Sequence, residues 1–127
     1  TKNAMRLYRR ILLATLLTVG ACGTTEPIFC TEEARAGINV TITDALSGNA
    51  LTAGSTLTIR EGDYVERSTE AFGNTMAGAW ERAGTYEVSI AREGYHTWMQ
   101  SGLVVNEDDC HVIPVNLDVA LEAISVP

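Results

Sequence analysis

Gly84-Thr85-Tyr86-Glu87-Val88-Ser89-Ile90-Ala91 holds the cleanest two-residue alternation in the chain. Tyr86, Val88 and Ile90 fall on one side, and Glu87, Ser89 and Ala91 on the other. Successive side chains of a strand leave on opposite faces, so this period predicts a strand with one face buried. The same pattern recurs on both sides of it. Ile38, Val40 and Ile42 alternate with Asn39, Thr41 and Thr43, and the run Asp44 to Asn49 supplies turn chemistry. Leu57 and Ile59 alternate with Thr56, Thr58 and Arg60 until Glu61-Gly62-Asp63 stops them. Tyr64 to Arg67 reads as a short third strand, residues 68–76 as a loop, and Ala77 to Glu81 as another strand. Ile113, Val115, Leu117, Val119 and Leu121 form the last, with Pro114 placed where a missing ladder N–H is tolerated. No helical period follows residue 30. Short strands between Gly and Asx turns predict an all-β sandwich.

Several of these residues carry a family resemblance. Val40-Thr41-Ile42-Thr43-Asp44 with Ser47-Gly48 resembles the V-x-V-x-D-x-x-x-G opening of carboxypeptidase regulatory-like domains. Gly78-Ala79-Trp80, Gly84-Thr85-Tyr86-Glu87-Val88-Ser89-Ile90 and Gly94-Tyr95 are similar to that family's G-x-aromatic, G-x-Y-x-V-x-V and G-Y signature. The match covers about residues 36–121, although Ala83 stands where the family often has Pro. The resemblance implies a seven-stranded, transthyretin-like (prealbumin-like) Greek-key sandwich. In that pattern Gly84 makes the turn, Tyr86 starts the inner face and Gly94 ends the strand. The family's metallocarboxypeptidase zinc ligands belong to a separate catalytic domain, so the resemblance implies no enzyme.

The amino-terminal part has a different character. Lys2, Arg6, Arg9 and Arg10 precede the apolar run Ile11 to Ala21. A basic segment before about eleven apolar or small residues is the pattern of a secretory signal, too short for a bilayer span of about 20 residues. A buried core helix is the alternative, opposed by the flanking arginines and by the Gly20 to Gly23 break. Val19-Gly20-Ala21-Cys22 then resembles the lipobox of bacterial lipoproteins, in which the Cys thiolate accepts a diacylglyceryl group. The expected organisation is a signal peptide over 1–21, a lipidated Cys22 and tether over 22–35, and a sandwich domain over 36–122. Cys22 as an ordinary thiol after an A-x-A cut is the competing reading. Gly23 in place of the Asp that usually retains lipoproteins in the inner membrane favours the outer membrane of the cell envelope.

Three cysteines in an exported chain leave one over. Lipidation of Cys22 accounts for it and predicts a Cys30–Cys110 disulfide. Closing that loop of about 80 residues is worth about 4.5 kcal/mol in the chain-entropy model. A redox-active pair is the alternative, but the C-x-x-C spacing that lowers a thiol pKa is missing.

The 127 residues, 46% hydrophobic and 20% charged, fit one small domain and exclude collagen-like, coiled-coil and polar disordered chains. No carboxylate precedes Glu26, so from residue 22 onward five Arg face sixteen Asp and Glu, a net of −11. Such a surface repels phosphate backbones and makes nucleic acid an unsuitable partner. Of the two histidines, only His111 lies near a carboxylate cluster, Glu107-Asp108-Asp109. A metal site from His111 with Asp108 or Asp109 lacks every standard ligand spacing, and a solvated acidic turn is the simpler reading. No Ser or Cys is marked as a nucleophile beside His96 or His111, so neither catalysis nor a cofactor is expected. Trp80, Tyr95 and Trp98 are the candidate ligand-binding residues, since an exposed aromatic face can stack on a sugar or peptide. Were 95–98 a strand, Tyr95 and Thr97 would point one way and His96 and Trp98 the other. Filling a core poor in aromatics is the competing role. The expected function is a non-catalytic envelope lipoprotein, its domain a structural or protein-interaction module. The expected partners are the bilayer, through acylated Cys22, and an envelope protein or polysaccharide. A carbohydrate- or peptide-binding module is the alternative, and a small metalloprotein or hydrolase stands behind it.

Overall fold

The computed structural model of the chain describes residues 20, 22, 23 and 25–125. The expected signal peptide, apart from Gly20, lies outside the described residues. Those residues form seven strands and no helix: β1 (Ala36–Asp44), β2 (Thr56–Glu61), β3 (Tyr64–Ser68), β4 (Thr75–Trp80), β5 (Gly84–Ala91), β6 (Trp98–Val105) and β7 (Val115–Leu121). One sheet has the order β4-β1-β7 and the other β3-β2-β5-β6. All neighbours are antiparallel except β1 and β7, which run side by side from Ile38↔Val115 to Asp44↔Leu121. The result is a β-sandwich-like all-β fold.

The alternating residues are the ones that face inward. Ile38, Val40, Ile42, Ile59, Val88 and Ile90 are wholly buried, with Leu57, Tyr86, Val119 and Leu121 beside them. Each such aliphatic side chain removed from water contributes about 1.5–3 kcal/mol. Polar partners hold the ends. Asp44 Oδ1 accepts the Leu46 and Ser47 amides at 2.9 and 2.7 Å, which makes the expected turn after β1 an Asx turn. Gly84 acts differently from the expectation that it makes a turn. Its φ is not left-handed; instead the Glu61 carboxylate crowds the place a Cβ would take and accepts the Thr85 amide at 2.6 Å. The missing side chain is needed for that approach.

Further sequence expectations are corrected, and one strand is added to them. β6 was not anticipated by any alternating run: it is a sheet edge, exposed over most of its length, with Gly102 at φ +71° and a register shift opposite Tyr86 and Val88. Tyr95 to Thr97 precede that strand, so Tyr95 and Trp98 both pack partly against the core while His96 and Thr97 are exposed. The last strand begins at Val115, which leaves Ile113 outside it and exposed. The fourth spans Thr75–Trp80, so Glu81 lies just beyond it.

Candidate functional site

The parallel pairing of β1 and β7 places their starts at the same end of the fold. Cys30 and Cys110 each lead into one of those strands, and they are joined as a disulfide with Cα atoms 5.2 Å apart. The bridge therefore links neighbouring strands of one sheet. It also brings Thr31 against His111, eighty positions along the chain. Thr31 Oγ1 lies 2.9 Å from His111 Nε2, and His111 Nδ1 donates to Glu81 Oε1 at 2.8 Å. A ring that carries its proton on Nδ1 leaves Nε2 to accept the Thr31 hydroxyl.

Glu81 is held by more than the imidazole. Its Oε1 accepts the Arg35 amide at 2.7 Å and its Oε2 the Val112 amide at 3.3 Å. The Arg35 amide, followed by the His111 ring and the Val112 amide, keeps its carboxyl below the usual range. Asp108 Oδ1 accepts the His111 and Cys110 amides, both at 2.8 Å, and these bonds lower its pKa. A cleft of about 340 Å³ opens here, lined by Thr31, Glu32, Glu33, Glu81, Glu107 and His111 among others.

The hydroxyl–imidazole–carboxylate line is the geometry of a base set between a nucleophile and an orienting group. Sequence reasoning had passed over Thr31 and Glu81, and nothing local to either marks it. Acyl transfer also needs donors for a developing oxyanion. The amides of Cys110, His111, Val112 and Arg35 are all occupied by internal acceptors. As to metal, both ring nitrogens of His111 have partners, Asp108 closes its own turn, and the described residues contain no group of three or more potential ligands.

The three candidate aromatics do not share a surface. Trp80 lies opposite Ala36 at the start of the nine-residue β1, whereas Tyr95 Oη donates to Asp44 Oδ2 at its end, 2.9 Å away. At ~3.3 Å per residue the two ends of β1 lie roughly 26 Å apart. Tyr95 and Trp98 are packed partly against the core. Trp80 is 48% exposed and, with the 59% exposed Phe72, lines a second cleft beside β3 and the β3–β4 loop. Phe72 was not singled out from the sequence.

Cys22 is exposed and is the one free cysteine among the described residues. Ile28 and Phe29, between it and the disulfide, are also exposed. No helix among the described residues is long and apolar enough to cross a membrane. No family model matches the chain, and no curated protein matches it.

Proposed function

We propose that the protein is a non-catalytic lipoprotein of the bacterial cell envelope, with the outer membrane as its favoured site. Its domain serves as a structural or interaction module carried on acylated Cys22. The observation that supports this most is the allocation of the sulfurs: Cys30 and Cys110 are bonded to each other, and exposed Cys22 is left over behind a lipobox-like Val19-Gly20-Ala21. Several acyl chains at about 0.8 kcal/mol per buried methylene would anchor the chain stably. We read the strand arrangement as the transthyretin-like Greek key of carboxypeptidase regulatory-like domains, on the motifs at 40–48 and 78–95. On this reading the Thr31–His111–Glu81 line is a clasp that holds the disulfide end closed. The occupied amides around it favour that role over catalysis.

The test is the intact mass of the protein recovered from membranes of a bacterial host, with and without reductant. The expected product begins at Cys22, carries acyl mass, and gains two hydrogens on reduction of the disulfide. Cys22→Ser removes the acyl mass. A soluble, unacylated wild-type product overturns the proposal.

A further inference from the structure

We propose that the cleft flanked by Trp80 and Phe72 binds a neutral saccharide, with a pyranose ring stacked on Trp80. This rests on the reading of the domain as an interaction module, and not on the lipid anchor. The cleft encloses about 360 Å³, at the small end of ligand pockets of about 300–1,000 Å³, which suits a short saccharide better than an extended peptide.

The strand presents Trp80 in an unusual way. By parity with the buried Met76 and Gly78, residue 80 belongs to the inner face. Ala79 breaks that alternation with φ +52°, a left-handed conformation costly for a residue with a Cβ, and Trp80 is exposed. Strain of this kind needs support and is concentrated at binding sites. Here Glu66 supplies support: its Oε2 accepts the Ala79 amide at 2.8 Å and the Tyr64 hydroxyl at 2.6 Å. Gly78 makes room both for the core and for this carboxylate, since a Cβ there would lie 2.5 Å from Ile59 Cδ1 and 2.9 Å from Glu66 Oε1. Oε1 itself has no hydrogen-bond partner among the described residues, so a fixed carboxylate in the cleft wall retains a free acceptor.

The remaining lining selects the ligand. Arg67 is exposed, lines the cleft and pairs with no carboxylate among the described residues, although the domain carries a large excess of acid. It offers donors, while Glu66 and Glu70 offer acceptors. Vicinal hydroxyls, each both donor and acceptor, match such a mixed set. A polyanion would meet two glutamates in a domain of net −11. The C–H face of a pyranose covers aromatic surface that would otherwise stay in water.

The experiment titrates the full chain with soluble cello-, malto-, xylo-, manno- and chito-oligosaccharides and follows tryptophan emission. It is run on both the acylated protein and Cys22→Ser in detergent, so that failure of lipid anchoring leaves the titration unaffected. At least one series is expected to give a saturable change. Trp80→Ala should weaken it at least tenfold, about 1.4 kcal/mol, while Trp98→Phe keeps affinity within about twofold. Arg67→Gln, at an exposed position, weakens binding without touching the aromatic platform. The proposal is overturned by no saturable response in any series, or by binding that survives both Trp80→Ala and Arg67→Gln.

Discussion

Glu81 shows how much a single exposed side chain can organise. At φ +47° it occupies a backbone region that disfavours residues with a Cβ, yet its carboxylate joins the start of β1 to His111 and Val112. Asp44 does the equivalent at the opposite end, where the Ser47 amide, the Tyr95 hydroxyl and the Leu46 amide hold its pKa down at about 2. The sign of the pH effect follows. A carboxyl whose pKa is lower in the folded than in the unfolded state stabilises the fold above the unfolded value and loses that contribution as pH falls through the folded one. Glu61, Glu81 and Asp108 are lowered in the same direction. Thermal stability is therefore expected to hold above about pH 5 and to fall between about pH 4 and 2. Asp44→Asn should lower the plateau and flatten that acid limb, read by circular dichroism melts from pH 7 to 2. A variant limb parallel to that of the wild type would assign the acid sensitivity elsewhere. Within the core, Tyr86→Phe removes the 2.8 Å bond from the Tyr86 hydroxyl to the Arg82 carbonyl and should cost about 1 kcal/mol in urea unfolding.

Strands that alternate apolar with polar residues were legible in the sequence, and the irregular edge strand β6 was not. β1, β2 and β5 alternate because every second residue must leave water, so Ile38, Leu57 and Tyr86 announce themselves. β6 borders the sheet and is bent at Gly102, so its exposed Met99 and Val104 follow no period. The parallel registration of β1 with β7 is a contact across the whole domain that no local pattern encodes. The candidate sites share that difficulty. Thr31, Glu81 and His111 are brought together by the fold, and a loop that has no motif places Phe72 beside the same cleft as Trp80. The cysteine count was different, because oxidation leaves an integer to explain. Removing the bridge with Cys30→Ser and Cys110→Ser should lower unfolding free energy by about 2–4.5 kcal/mol. The effect should appear as a lower urea midpoint, and reductant should reproduce it in the wild type. An unchanged midpoint would show that the strand starts stay together without the covalent link.

At the scale of the molecule, charge decides how the domain meets a surface. Of its five Arg, Arg35 pairs with Glu33, Arg82 pairs with Glu61, and Arg92 donates to the carbonyls of Leu51 and Ala53. Sixteen carboxylates surround them, several at the disulfide end, next to residues 25–29. An anionic bilayer therefore repels the domain, and the repulsion is strongest at low salt, where the Debye length reaches about 30 Å. The exposed Ile28 and Phe29 could bury about 1.5–3 kcal/mol each in the interface, a marginal hold before any cost of orientation. Attachment should then depend on acyl chains alone. Sedimentation with phosphatidylglycerol vesicles is expected to carry down the acylated chain at any ionic strength, because hydrocarbon burial is not screened by salt. A chain that begins at residue 22 and carries Cys22→Ser should stay in the supernatant even at about 10 mM salt, where attraction between opposite charges would be strongest. Sedimentation of that variant at low salt, reversed by high salt, would reveal a basic contact surface incompatible with the charge distribution described here.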